Sequence, residues 1–498
     1  MSAALKPDLC IIGGGHGGIT LALGAAAHGL SVVLVEKGSL GGRRLTETIP
    51  RHCLLAFSRT AFEANRAAGL GFAAPAPGTG FARLREHTTA VLAAIAPNYS
   101  QARLEAAKVK VVRASGRFTM PDTCVAGGEK IMAKHFVVAS GSTARRLPIP
   151  GLDAVRPIGC AALCSLASPP HCLIVIGSDP QGLAVAQAMR RLGSEVAVLT
   201  ERPVLTSEDD ELAAPVRAAF ARDGVAVHEG ARISRIEPRG GGIRVFIAGR
   251  GQETPIAGSH IFAAAGSAPS VDGLGLEAAG VHHDETGIET NDSLTTSNRR
   301  IQAIGAAVRG TTQEGAAEWH AHFVLRAILG LPGGKIRKDA GARIVLTSPP
   351  VAVAGLSETQ ALAAFHSIRV LRWPLAETER AQIDGRPGGH VKLITSRSGV
   401  ILGAGITGQG AEELIALFSL AISKGMTASD IGSIMVPNPA LADAARSAAT
   451  MYLDIEPQSA AGWLLGHWGR LAAHQGEEVL EFAGGLAGRF RRFIRGQA

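Results

Sequence analysis

Two stretches of the chain share one order of apolar and polar positions: an apolar run, a glycine-rich turn, a stretch rich in small residues, and a second apolar run. In residues 9–36, LCIIGGG leads to ITLALGAAAHGL and SVVLVE, and in residues 173–200, LIVIGSDPQG leads to LAVAQAMRR and EVAVLT. Short apolar runs bounded by glycine indicate buried strands, and the stretch between them indicates a helix. Each stretch therefore predicts a strand-turn-helix-strand unit of a parallel sheet.

Chain length, net charge, hydropathy and cysteine spacing limit the number of domains and the functions that the chain can have. A chain of 498 residues is too long for one core, so two to four domains are expected. The net charge is +8, but the basic residues are dispersed, which does not favour nucleic-acid binding. No apolar run reaches the roughly 18 residues of a membrane span, and no cleavable signal opens the chain, so a cytoplasmic location is expected. The six cysteines form no CxxC pair, which predicts buried free thiols and no metal site.

The first glycine-rich turn carries a dinucleotide-binding pattern. Gly13, Gly15 and Gly18 satisfy GxGxxG between a predicted strand and a predicted helix. Gly13 permits the tight turn, Gly15 lets the backbone approach a pyrophosphate, and Gly18 allows close helix packing. Glu36 ends the next strand about 20 residues on, where a carboxylate accepts the hydroxyls of an adenosine ribose. The pattern predicts a bound dinucleotide with its phosphates at the helix N-terminus.

Further motifs resemble those of the flavoprotein disulfide reductases, the family of dihydrolipoamide dehydrogenase and glutathione reductase, and above all its mercuric-reductase-like branch. They occur in family order over nearly the whole chain: GGGHGG, VEKGSLGG, VASGSTARRLPIPGLD, LIVIGSDPQG, LTTSNRRIQAIGA, AEWHA, LGAGITGQGAEELI and VPNPALAD. The resemblance implies FAD at the first site, NAD(P)H at a second domain and a homodimer. It also implies a CxxxxC pair that passes electrons from the flavin to the substrate.

The resemblance implies an α/β fold with two Rossmann-like dinucleotide-binding domains, the second inserted in the first, and a C-terminal α+β dimerisation domain. The expected FAD-binding domain is residues 1–153 with 286–343, the NAD(P)-binding-like domain 154–285, and the interface domain 344–455. The residues expected at FAD are Gly13, Gly15, His16, Gly17, Gly18, Glu36, Lys37, Gly42, Gly141, Gly305 and Ala306.

The segment that resembles the family's cysteine motif, LGGRRLTETIPRHCLL, has no cysteine pair. Arg44 replaces the first cysteine, and the segment is one residue short, so that Thr48 lies nearest the second. Disulfide exchange needs two sulfurs in bonding geometry. His52 replaces the family's lysine beside the flavin, where it either donates to the flavin or is an ordinary helix histidine. Cys53 is expected to be a core thiol.

The C-terminal motif also lacks its catalytic groups. By the resemblance, a histidine and a glutamate from the partner subunit act there as an acid-base pair, but Asn438 and Asp443 occupy those positions. Asparagine does not shuttle protons near neutral pH. Together with the missing cysteines, this change predicts that the protein does not reduce disulfides.

The second glycine-rich turn reads Gly177, Asp179, Gly182, with aspartate where the middle glycine belongs. A side chain there obstructs a pyrophosphate, and a carboxylate repels it. Ala184 replaces the family's glutamate at the nicotinamide pocket, and Thr200 stands where an acidic ribose ligand is usual. The sequence leaves useful NAD(P)H binding and its loss as alternatives.

Two features bear on FAD and on membranes. Ala306 replaces the aspartate that in the family binds a ribityl hydroxyl, a loss that weakens the predicted FAD site without abolishing it. Residues 456–498 form a basic amphipathic tail with Trp463 and Trp468, which either contacts an anionic membrane surface or packs on the dimer.

The sequence therefore favours an FAD-dependent oxidoreductase that passes electrons, with NAD(P)H as a candidate donor, to a small acceptor, such as a quinone, without a protein disulfide. The alternative is a degenerate, non-catalytic dimer that binds a partner or a nucleotide. Thiol chemistry at Cys160 and Cys164 is a third hypothesis, but buried structural cysteines are commoner than reactive ones.

Overall fold

The computed structural model describes residues 4–68, 71–72, 80–249, 252–332 and 336–455. The predicted C-terminal tail lies outside these residues. Among the described residues, no helix combines the length and apolar content needed to cross a bilayer.

The described residues up to 144 form most of one parallel sheet, a three-stranded antiparallel sheet and four α-helices. A π-helical turn at Arg44–Thr48 precedes the second helix. The elements are β1 (Leu9–Ile12), α1 (His16–Ala27), β2 (Val32–Val35), α2 (Ile49–Ala68), α3 (Gly80–Ile95), α4 (Gln101–Ala106), β3 (Val109–Val112), β4 (Gly116–Met120), β5 (Thr123–Ala126), β6 (Glu129–Ile131), β7 (His135–Val138) and β8 (Ser142–Ala144).

The next 125 or so residues contain a second parallel sheet, in the order β11-β10-β9-β15, and an antiparallel sheet, β12-β13-β14. The elements are α5 (Leu152–Val155), α6 (Cys160–Cys164), β9 (Cys172–Ile176), α7 (Pro180–Arg191), β10 (Glu195–Thr200), α8 (Asp210–Asp223), β11 (Ala226–Glu229), β12 (Arg232–Arg239), β13 (Gly242–Ala248), β14 (Glu253–Gly258), β15 (His260–Ala263) and β16 (Ser267–Pro269).

The chain then returns to the first sheet. Its elements are β17 (His283–Asp284), β18 (Gly287–Ile288), β19 (Ile301–Ala303) and α9 (Ala316–Ile328). Strand β19 pairs with β7 and completes the parallel order β19-β7-β1-β2-β3. Every residue of β1 and β2 is buried, as expected for parallel strands covered on both faces. The second parallel sheet thus lies in sequence between two strands of the first.

The last described part forms an antiparallel sheet in the order β20-β21-β24-β23-β22, with helices packed against it. Its elements are β20 (Arg343–Val345), β21 (Val351–Gly355), α10 (Glu358–Ala364), β22 (Ile368–Pro374), α11 (Glu379–Ile383), β23 (Gly389–Ser396), β24 (Ile401–Gly408), α12 (Ala411–Lys424), α13 (Ala428–Gly432) and α14 (Ala442–Ile455). The predicted fold class, α/β with a C-terminal α+β unit, is confirmed.

A buried ionic cluster joins this last unit to helix α8. The Lys392 ammonium, on β23, lies 2.7 Å from Asp209, 2.5 Å from Glu211 and 2.7 Å from Glu358. The Lys392 side chain is only 2% exposed. Burial alone would lower the pKa of Lys392, but hydrogen bonds to the three carboxylates raise it. Lys392 therefore stays charged and holds the two units together.

Candidate active site

A cavity of about 540 Å³ lies at the carboxyl ends of the strands of the first sheet. Gly13 follows β1, Glu36 follows β2, Ala139 follows β7 and Gly305 comes shortly after β19, and all four residues line the cavity. In open parallel sheets, ligands bind at this edge, and the volume is in the range of cofactor sites.

The glycines of the first turn differ in what surrounds them. At Gly13, where φ is +117°, a Cβ atom would come within 2.2 Å of the Ala139 carbonyl oxygen. At Gly18, a Cβ atom would meet the Gly13 carbonyl oxygen at 2.0 Å, whereas at Gly15 it would meet nothing within 4 Å. Gly13 and Gly18 are thus required by the fold itself, and Gly15 keeps the cavity open in front of α1.

Glu36 closes the opposite side of this turn. Its carboxylate accepts hydrogen bonds from the backbone N–H of Gly14 and of Gly38, each at 2.5 Å. These bonds fix the carboxylate at the cavity wall, next to Lys37, where an adenosine ribose is expected.

His16 also lines the cavity, but both of its ring nitrogens have partners. Nδ1 lies 3.0 Å from the Tyr99 hydroxyl, and Nε2 lies 2.9 Å from Glu318 on α9. The hydrogen bond with His16 lowers the pKa of Glu318. Gly17 packs against Ala317, where a Cβ atom would come within 2.8 Å. His16 and Gly17 thereby hold α1 against α9.

The remaining walls fit FAD. Gly42 and Gly141 have positive φ, +50° and +68°, and a Cβ atom at Gly141 would meet nothing within 4 Å. The Ser140 hydroxyl is buried against the cavity without a hydrogen-bond partner. Backbone that can approach a ligand closely and a polar atom without a partner are the features expected where a cofactor supplies the missing contacts.

The second predicted FAD motif ends at this cavity. The backbone N–H of Gly305 donates to Nδ1 of His320 on α9, at 3.1 Å. Burial lowers the pKa of His320 to about 4, so that its ring is neutral and Nδ1 can accept this bond. Ala306 lines the cavity with a methyl group and offers no acceptor to a ribityl hydroxyl.

Arg44 and Thr48 line the cavity. By the resemblance, Arg44 stands in place of the family's first cysteine and Thr48 lies nearest the second. None of the six cysteines, all of which belong to the described part of the chain, lines it, and all six are free. Burial raises the pKa of Cys53, of Cys160 and of Cys164, the last to about 12. The prediction of buried free thiols is confirmed for five cysteines, whereas Cys172 is partly exposed.

One polar cluster at the cavity was not predicted from the sequence. It consists of Arg51 and His52 on α2, Gln181 on α7 and Glu314 before α9, and we call it the Arg51 cluster. Arg51 is 3% exposed and donates to Gln181 at 2.8 Å and to Glu314. Gln181 donates to the Glu314 carboxylate at 2.9 Å, and His52 Nε2 lies 3.5 Å from the same carboxylate.

Charge stabilises this cluster. Burial favours a raised pKa of Glu314, but the hydrogen bond with His52 and the charge of Arg51 outweigh it and lower the pKa to about 2. Glu314 is therefore ionised at neutral pH. His52, unlike Arg51, is not among the residues that line the cavity, so the residue that faces the cavity lies one position before the predicted histidine.

Comparison with known proteins identifies the family. The profile described as "Pyridine nucleotide-disulphide oxidoreductase" matches residues 7–321, and the profile of its dimerisation domain matches residues 342–449. The chain belongs to this family. Its members bind FAD and also use NAD(P)H, and the dimerisation domain indicates a homodimer.

Three similar proteins represent the family. Dihydrolipoyl dehydrogenase from Thermus scotoductus is 31% identical over 455 residues, which cover 89% of this chain and 96% of the relative. Mercuric reductase from Bacillus cereus is 26% identical over 449 residues, which cover 89% of this chain and 71% of the relative. The crystal structure of LpdA from Mycobacterium tuberculosis superposes with a TM-score of 0.80 at 25% identity, covering 90% of this chain and 99% of LpdA.

The family's acid-base positions lie on the dimerisation domain. Asp443, on α14, accepts a hydrogen bond from Arg446 at 2.6 Å, and Asn438 precedes a proline in cis. Within the described chain, neither residue lines the cavity. That these positions belong to the partner subunit's site, as the resemblance implies, remains a prediction.

The second fingerprint forms a tight turn like the first. At Gly177, where φ is +100°, a Cβ atom would come within 2.2 Å of the Ala264 carbonyl oxygen, and at Gly182 it would meet the Ala264 Cβ atom at 2.1 Å. Asp179 is the N-cap residue of α7. The two fingerprints thus share one backbone geometry and differ at the central position, Gly15 against Asp179.

Proposed function

We propose that the protein is an FAD-dependent oxidoreductase that passes electrons to a small acceptor, such as a quinone, without a redox-active protein disulfide. One observation carries the proposal. Arg44 and Thr48 line the cavity at the family's cysteine positions, whereas all six cysteines lie away from it. FAD bound in this cavity would supply two-electron redox chemistry without protein sulfur.

Different residues along the cavity would bind the different parts of FAD and the acceptor. Gly15 and the N-terminus of α1 would receive the pyrophosphate, and Glu36 the adenosine ribose. At the other end, Arg44 lines the cavity, while Arg43 donates to the Ser142 hydroxyl at 3.0 Å. A guanidinium donates hydrogen bonds and accepts none, so Arg44 suits the carbonyl oxygens of a quinone.

The predicted basic tail, outside the described residues, would suit a membrane quinone by peripheral contact with an anionic surface. This contact is a further part of the proposal.

The alternative is a non-catalytic dimer that retains a dinucleotide. It is favoured by Ala306, which removes a ribityl hydrogen bond, and by Asp179 in the second fingerprint. A protein of this kind would bind FAD or an adenine nucleotide without reducing an acceptor.

Variants of three cysteines test the mechanism. Cys53 lies beside the altered cysteine motif, and Cys160 and Cys164 are the residues of the thiol hypothesis. Cys53→Ala, Cys160→Ala and Cys164→Ala should each reoxidise at the wild-type rate when the photoreduced, FAD-loaded protein is mixed with a soluble benzoquinone, because no sulfur takes part. Stopped-flow absorbance measures this rate, with Cys172→Ala as the control. A loss of about 100-fold or more in one variant that still folds would establish thiol participation instead. A wild-type protein that binds FAD but does not reduce benzoquinone would support the non-catalytic alternative.

A further inference from the structure

The Asp179 carboxylate binds the backbone groups that a nucleotide phosphate would need. Its Oδ1 accepts the Gly182 N–H at 2.5 Å, and its Oδ2 accepts the Gly266 N–H at 2.9 Å. Gly182 lies in the first turn of α7, after β9, and Gly266 lies in the loop after β15. Both carboxylate oxygens are thus used at the carboxyl edge of the second sheet, one by the N-terminus of α7 and the other by the loop after β15.

An ordinary helix cap explains only half of this arrangement. Capping accounts for the bond to Gly182 in the first turn of α7. The bond to Gly266 reaches a separate loop, 87 residues away in sequence. The Asp179 carboxylate thus bridges the N-terminus of α7 and the loop after β15. A phosphate bound at the helix N-terminus would lie at this place and would also be negatively charged.

The first domain provides the contrast within the same chain. There Gly15 occupies the position of Asp179, and the space in front of it is open. Glu36 directly follows β2, and by the strand register its counterpart in the second domain is Thr200, the last residue of β10. Thr200 is buried, and its hydroxyl donates to the Arg202 carbonyl at 2.8 Å and lies 3.0 Å from the Ser178 hydroxyl. The second domain therefore lacks the open turn, and it has no carboxylate at the position of Glu36, although Glu201 directly follows β10.

The route from the second domain to the cavity is also bridged. Gln181, two residues after Asp179, bonds to Glu314 and Arg51 in the Arg51 cluster. This cluster connects the first turn of α7 with α2 and with the segment before α9. A nicotinamide that extended from the second domain toward the flavin would have to break the hydrogen bonds of Gln181 to Arg51 and to Glu314.

We infer that Asp179 is an internal anion that takes the place of the pyrophosphate of NAD(P)H, so that the second domain does not bind the dinucleotide. The residues do not fit NAD(P)H in the way that the first site fits FAD. This inference stands on the second domain alone and does not depend on the proposed function.

Calorimetric titration of FAD-saturated protein with NADH, NADPH and ADP-ribose tests the inference, because prior saturation keeps these nucleotides out of the first site. The wild type should bind all three with a Kd weaker than about 1 mM. Asp179→Gly should bind at least one of them at least about 10-fold more tightly, because it frees two amides and removes a like charge. Asp179→Asn, which keeps the volume of the side chain, should remain weak.

Two results would overturn the inference. One is micromolar binding of NADH or NADPH by the wild type, and the other is a folded Asp179→Gly protein that gains no affinity. If Asp179→Gly does not fold by circular dichroism, Asp179→Ala takes its place, since it removes the carboxylate without adding backbone freedom. Reoxidation of the photoreduced wild type by benzoquinone needs no nucleotide, so it reports separately on the proposed function.

Discussion

Replacing Gly15 with alanine is expected to weaken FAD binding by about 10- to 100-fold while leaving the protein folded. The new Cβ atom would meet no protein atom within 4 Å, and it would project where the pyrophosphate must approach α1. Forcing a methyl group into a tight contact costs about 1–3 kcal/mol, which corresponds to this loss of affinity. Equilibrium dialysis with FAD, or quenching of flavin fluorescence, measures the dissociation constant.

Gly315→Ala is the matched control for this variant. Gly315 is also the N-cap residue of a helix, α9, a Cβ atom there would meet nothing within 4 Å, and it does not line the cavity. Both variants should lose similar, small amounts of helix stability, at most about 1 kcal/mol. Equal FAD affinity in Gly15→Ala and Gly315→Ala would place the pyrophosphate elsewhere and contradict the assignment of the first turn.

Replacing Lys392 with alanine is expected to lower the free energy of unfolding by about 3–5 kcal/mol. The variant leaves Asp209, Glu211 and Glu358 close together, with Arg372 2.7 Å from Glu211 and 3.2 Å from Glu358 as the remaining arginine partner in the described chain. Removing one partner of a buried ionic group leaves the remaining charges uncompensated, which is far more costly than losing a surface pair. Urea denaturation followed by circular dichroism measures the change.

Lys110→Ala is the corresponding surface control. Lys110 lies 2.9 Å from Glu129, but its side chain is 47% exposed. Such a pair contributes at most about 1 kcal/mol. If Lys392→Ala were no more destabilising than Lys110→Ala, the buried cluster would not join helix α8 to the C-terminal unit as described.

The sequence predicts the first nucleotide turn well because its determinants are local. The spacing of Gly13, Gly15 and Gly18 is set by one strand, one turn and one helix, and Glu36 follows at the end of the next strand. Each of these residues lines the cavity. The α/β fold follows for the same reason, since each strand-turn-helix-strand unit can be recognised without reference to the others.

The Arg51 cluster could not be predicted in this way. Gln181 and Glu314 lie 130 and 263 residues from Arg51 in sequence, and only the packing of three segments brings them together. Nothing in the sequence around Glu314 distinguishes it from an exposed loop glutamate, whereas Arg51 stands out only as the residue after Pro50 in the altered cysteine motif.

Only part of the role of Asp179 could be predicted from the sequence. Its residue type predicts repulsion of a phosphate, and that argument needs only the fingerprint. Its partner Gly266 comes from a loop on the far side of β15, so the use of both carboxylate oxygens emerges only from the fold.

Stepwise anaerobic photoreduction of the FAD-loaded protein, followed by its visible absorption spectrum, tests whether a flavin in the cavity accepts electrons without a protein disulfide. We expect the flavin band to bleach after uptake of about two electrons per flavin, with no long-wavelength band from a thiolate beside the flavin. Uptake of about four electrons with such a band, or a protein that retains no flavin after FAD is added, would contradict this expectation.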